Sequence, residues 1–159
     1  MQKILIAAAS LLFAGISGAA AQTHASTIDA PAGTTLLLTA KGDGAQVYSC
    51  TDNHWILKAP DAKLLDAQGK VIGKHFAGPT WHLDNGGEVK GKAVANQPAP
   101  DGSSVPWLLV QAVSTSGGLA SVTYIRRVET HGGAAPKEAC TAGELRVPYT
   151  ATYEFYTGK

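Results

Sequence analysis

The chain lacks any apolar run long enough to cross a membrane as a helix. Its longest, Ile4 to Ile16, has 13 residues, against the roughly 20 that a bilayer core requires. Neither sign of charge is in excess: 13 Lys and Arg face 12 Asp and Glu, and charged residues make up only 16% of the chain. That balance argues against nucleic acid as a partner, since phosphate backbones are bound by surplus cations that displace counterions. It equally argues against a polybasic hold on anionic lipid. There are only two cysteines, and neither has a second cysteine or a histidine at a convincing ligand spacing; Cys50 stands four residues before His54, which alone is a poor metal signal. The sequence has no Gly-x-Ser-x-Gly elbow, no His-Glu-x-x-His pair and no phosphate-cradling loop, so the common hydrolase, zincin and nucleotide-binding signatures are missing. Gly42-Asp43-Gly44 lacks the third glycine of a dinucleotide fingerprint, and the strand-like Gln46-Val47-Tyr48 follows it where a helix would be needed.

What is present begins with an export signal. Lys3 is the only charge before Asp29; the apolar run follows it, then Ser17-Gly18 and the small residues Ala19-Ala20-Ala21. A positive start, a short apolar stretch and an A-x-A site in that order predict a signal peptide over residues 1–21, cleaved before Gln22. A retained anchor is the alternative, disfavoured by length, and with no cysteine at the cleavage site a lipid anchor has no attachment point. Residues 22–159 then form one domain, secreted or periplasmic, with no membrane anchor after cleavage. Without Lys3 its charges are 12 basic against 12 acidic. In an oxidising compartment Cys50 and Cys140 are expected to pair, closing a loop long enough for the bond to contribute about 4–5 kcal/mol in the chain-entropy view.

No segment has the periodicity of a long amphipathic helix. Glycines and prolines, 18 and eight in all, punctuate short alternating or wholly apolar runs, the pattern of strands joined by tight turns. Thr35 to Ala40 reads as a strand that Gly42-Asp43-Gly44 turns into Ala45 to Cys50; His54 to Lys58 and Lys63 to Asp66 follow as separate strands. Asn85-Gly86-Gly87 is a strong hairpin signal. Residues 96–106 read as a surface loop. Trp107 to Val113 is apolar on both faces, as in a central strand, and the end alternates, with Tyr149, Ala151, Tyr153 and Phe155 on one face. The expected class is all-β: an antiparallel β-sandwich or a partly closed β-barrel with one disulfide.

Several separated blocks resemble an uncharacterised family of secreted or envelope-side proteins, domain of unknown function 3455. They are Gly73-Lys74-His75-Phe76-Ala77-Gly78-Pro79-Thr80-Trp81, Val105-Pro106-Trp107-Leu108-Leu109, Ile125 to Gly133, Cys140 and Arg146 to Tyr156. The resemblance implies export and carries no activity, cofactor or catalytic residue with it.

Candidate chemistry comes from the residues themselves. If Gly78-Pro79 is a two-residue turn, His75 faces His82, and both share a surface with Asp84, while Phe76, Trp81 and Leu83 are buried. Cross-strand Cβ atoms at about 5 Å would let His75 and His82 hold a divalent metal, or let the three residues act as an acid–base set. A turn wider by one residue sends the histidines to opposite faces. The aromatics suggest another use. Trp55, beside the polar Asp52-Asn53-His54, is the candidate for an exposed platform on which a sugar ring or other apolar ligand could rest, with Trp81, His75, His82 and Asp84 as further binding candidates. The leading expectation is therefore a non-catalytic module that needs no cofactor and binds a small ligand, a glycan or a protein. The alternative is a metal-dependent or His/Asp enzyme centred on His75, His82 and Asp84.

Overall fold

A computed structural model describes residues 27–158; the signal-peptide reading falls outside them. The described chain forms eight strands: β1 (Thr35–Thr51), β2 (His54–Leu65), β3 (Val71–Phe76), β4 (Thr80–Leu83), β5 (Glu88–Gln97), β6 (Trp107–Ser116), β7 (Val122–Gly132) and β8 (Glu144–Thr157). Each pairs antiparallel with the next, and β8 returns to β1, so a single sheet closes on itself as a barrel. The all-β expectation holds, and ring closure decides between its two architectures.

The ring is uneven. β1 and β8 lie together from Thr35↔Thr157 to Ser49↔Glu144, whereas β6 and β7 pair only from Leu108↔Arg127 to Gln111↔Tyr124. The 3-10 turn Gly117–Leu119 between them drops Leu119 into the core.

Glycine in β1 does something other than turn the chain. β1 runs unbroken through Gly42 and Gly44, and β2 likewise runs through Ala59-Pro60, past a bulge at Val47/Tyr48 on its partner. A Cβ on Gly42 would lie 2.5 Å from the Tyr153 ring, and one on Gly44 would lie 2.2 Å from the Asp61 carbonyl oxygen. These positions let backbone and ring approach closely inside a tightly curved wall. The turn expected at Gly42-Asp43-Gly44 is thus replaced by one continuous strand, and the separate strands expected at His54 to Lys58 and Lys63 to Asp66 are joined in β2.

Alternation along β8 sorts inside from outside. Tyr149, Ala151, Tyr153 and Phe155 are buried and join Trp81, Leu83, Val89, Val110, Ile125 and Leu64 in the barrel interior. β6 is apolar on both faces for a local reason: its outer face is covered as well. The segment before β1 folds back so that Ile28 packs on Leu109 and Val128, with Trp107 and Tyr124 at the edge. Arg126 fixes it by donating from Nε to the Ile28 carbonyl while its Nη1 pairs with Glu154 at 2.9 Å. At one end, Cys50 and Cys140 are bonded with a sequence separation of 90, and Cys140 N–H donates to the Asn53 carbonyl. The bond ties the loop before β8 to the tip of the β1–β2 hairpin.

Candidate functional site

The hairpin that was to unite the histidines has the wider turn. Its register pairs Phe76 with Thr80, His75 with Trp81 and Lys74 with His82. Gly78 takes φ of 114°, and the Thr80 hydroxyl donates to the Ala77 carbonyl across the turn, so Ala77, Gly78 and Pro79 all lie within it. One extra turn residue shifts every cross-strand pair. His75 consequently faces inward and His82 outward, and Phe76, expected inside, is 40% exposed. The shared surface expected for His75, His82 and Asp84 is not formed.

His75 is a core residue. Its ring stacks on Trp81 with centroids 4.3 Å apart and 11° between planes, and Tyr153 meets it edge-on at 5.0 Å. Nδ1 donates to the Thr80 carbonyl at 2.8 Å, which leaves Nε2 as the unprotonated nitrogen of a neutral ring. Burial pushes its pKa down to about 4; the Thr80 hydrogen bond opposes the shift, and the Arg127 charge adds to it. Trp81 is sealed in beside it. His82 instead pairs with Glu88 at 3.2 Å on the outer surface. Asp84 is exposed in the β4–β5 turn, and Trp55 is half-buried opposite Cys50 at the far end of the β1–β2 hairpin. Among the described residues, no three His, Cys, Asp or Glu side chains gather at a metal-holding distance.

A sizeable concavity lies elsewhere, on the outer wall. It has a volume of about 830 Å³, within the range of small-molecule sites. Its floor is the β1–β8 pair at Gly42 and Ala151. Lys41, Asp43, Thr150 and Thr152 line it from those strands; Glu129, Thr130 and His131 from β7; Trp107 from the start of β6; Pro100 and Asp101 from the β5–β6 loop; and residues 65–69 from the β2–β3 turn. β7 bulges between Val128 and His131, with Glu129 at φ of 50°, and the bulge re-aims Glu129 and His131 towards the groove.

The rim of the groove is tied down by its own carboxylates. Asp66 accepts from the Gln68 and Lys70 N–H groups, both at 2.9 Å. Asp101 accepts from the Ser103 and Ser104 N–H groups and the Ser104 hydroxyl. The Ser104 hydroxyl and those two N–H groups hold its pKa down to about 2. Glu129 accepts from the Thr152 hydroxyl at 2.7 Å. Each carboxylate keeps further lone pairs for a ligand. Trp107 is half-buried, and its indole N–H is covered without an acceptor among the described residues. Trp107, Glu129 to His131 and Thr150 to Thr152 lie within the blocks that carry the family resemblance, but nothing in those blocks marks them as a site. The groove draws on five separated segments, and only closure of the barrel brings them together.

Fold and groove define a class, an antiparallel β-barrel with a cleft of mixed polar and apolar lining on its outer wall. The chain belongs to the family described as protein of unknown function (DUF3455), which matches residues 31–157. Neither a curated protein nor a solved structure matches the chain.

Proposed function

We propose that this domain is a non-catalytic binding module, exported from the cytoplasm, that holds a small ligand in the groove between the β2–β3 turn, the β7 bulge and the β5–β6 loop. The observation that carries the reading is the groove itself: about 830 Å³, with one large aromatic side chain and a ring of acceptors and hydroxyls on a rigid strand floor. Strands preorganise such a site, so little ordering entropy is lost when the ligand arrives.

The groove's polar groups suit holding a ligand. Asp101, its pKa held down to about 2 by the Ser104 hydroxyl and two N–H groups, is a fixed charged acceptor at neutral pH. His75, the histidine that the sequence offered as a catalyst, is enclosed in the barrel away from the groove. Export is supported by the signal-like N-terminus and by the Cys50–Cys140 bond, which suits an oxidising compartment. Among the described residues, no helix is long and apolar enough to cross a membrane.

Amide and indole NMR spectra recorded with a diverse set of small molecules test the reading. Perturbations should concentrate on Lys41, Asp43, Trp107, His131, Thr150 and Thr152. Binders whose perturbations gather instead around His82 and Glu88, or around Trp55, would overturn it.

A further inference from the structure

We propose that the ligand class of the groove is neutral carbohydrate, an inference that rests on the binding-module reading and adds the chemistry of what is bound. Charge excludes one large class first. Asp43, Asp66, Asp101 and Glu129 face a cleft in which Lys41 is the only permanently charged cation among the lining residues. Phosphate, sulfate and acidic ligands therefore meet a repulsive field as they approach.

A cation is the competing occupant, and the geometry of the carboxylates favours a directional partner over it. Three of the four carboxylates already accept hydrogen bonds that fix their orientation: Asp66 and Asp101 from backbone N–H groups of their own turns, Glu129 from Thr152. Those bonds aim the remaining lone pairs, and Lys41 brings a positive charge and donors to the same groove. For a metal, the described residues offer no cluster of donors. What remains is a set of fixed acceptors with a few donors beside them, which rewards directional partners that can both donate and accept. Sugar hydroxyls are such partners, and bidentate acceptance by a carboxylate suits adjacent hydroxyls on one ring.

The second requirement of a sugar is a flat apolar surface for its C–H face. Trp107 supplies one, Pro100 adds apolar surface to the same groove, and an aromatic ring in a partly wet cleft suits a ligand with one apolar side and a polar edge. Trp107 is held in place because it also packs on the Ile28, Leu109 and Val128 cluster. The groove is open along the wall rather than enclosed, so an oligosaccharide can lie across it with its ends in solvent.

The test uses the purified mature chain against three probe classes: an array of neutral oligosaccharides, oligolysine, and inorganic phosphate. At least one neutral oligosaccharide should bind, perturbing Trp107 and Thr152 in the NMR spectrum. Its Kd should change less than about twofold when salt rises from about 50 to about 500 mM, because the contacts are hydrogen bonds and stacking rather than paired charges. Asp43→Asn, an exposed substitution that leaves the fold intact, should weaken binding several-fold. Groove binding by oligolysine with a steep loss on adding salt, and by no sugar, would overturn the carbohydrate inference while leaving the binding-module reading in place; phosphate binding there would do the same. Sugar binding mapped away from the groove would overturn both.

Discussion

Lowering the pH from 7.5 to 4.5 should destabilise the barrel through one residue, His75. Its folded pKa is about 4, against about 6.5 for an unperturbed histidine. The folded value is the depressed one, so the unfolded chain takes up the proton first. The associated stability is complete above pH 6.5 and is lost as pH falls towards 4, at up to about 1.4 kcal/mol per pH unit. Integrated from pH 7.5 to 4.5, the loss is about 2.5 kcal/mol, a large part of the stability of a domain this size. The cause lies in the packing: protonation would place a cation between Trp81 and Tyr153, inside the barrel and near the Arg127 charge. Urea unfolding at several pH values measures the loss, with His75→Phe as the comparison, because phenylalanine keeps a flat ring against Trp81 and cannot titrate. The variant should start about 1–2 kcal/mol less stable, since the Thr80 carbonyl loses its donor, and should lose much less stability over the same pH interval. Parallel pH profiles for the two proteins would refute the assignment of the acid sensitivity to His75.

Other expectations follow from particular contacts. Cys140→Ala should cost about 4–5 kcal/mol, read as a large drop in melting temperature, since the bond spans 90 residues of sequence; a drop of a degree or two would contradict it. Gln46 is enclosed in the barrel with both side-chain polar atoms unpaired among the described residues, so Gln46→Met should stabilise the fold by about 1–2 kcal/mol in denaturant unfolding; destabilisation would mean the amide has a buried partner. Gly44→Ala should prevent or badly impair folding, because the new Cβ would sit 2.2 Å from a backbone oxygen, and a soluble variant with normal stability would refute that role for the glycine. Mass spectrometry of the protein recovered outside the cytoplasm should find an N-terminus at or within a few residues of Gln22; an intact Met1 would overturn the export reading.

The strands were legible where local chemistry alone decides them. Tyr149, Ala151, Tyr153 and Phe155 declare their common face by alternation, and Asn85-Gly86-Gly87 marks a turn that the structure has. Cys50 and Cys140 were legible as a pair from compartment and number. Three features were not. Gly42 and Gly44 look like a turn in sequence because glycine serves tight turns and close packing equally well, and only the ring of Tyr153 and the backbone at Asp61 show which applies. The Gly78-Pro79 turn admits two lengths that differ by one residue, and that residue decides whether His75 is a surface ligand or a core ring. The groove was beyond local pattern altogether. Lys41, Asp66, Asp101, Glu129 and Thr152 have no spacing in common, and Trp107 reads as one more strand aromatic until the Ile28 segment is seen to cover its neighbours and leave it at the edge of a cleft.

The central claim, that ligand is held in the groove beside Trp107, is tested most directly by titrating a bound oligosaccharide against the parent, Trp107→Ala and Trp55→Ala proteins by calorimetry. Both tryptophans are half-buried, and only one lines the groove, so each controls for loss of an aromatic side chain. The account predicts a loss of affinity of about tenfold or more for Trp107→Ala, equivalent to about 1.4 kcal/mol, with Trp55→Ala binding as the parent does. Unchanged affinity in a folded Trp107→Ala protein, or a loss confined to Trp55→Ala, would contradict it.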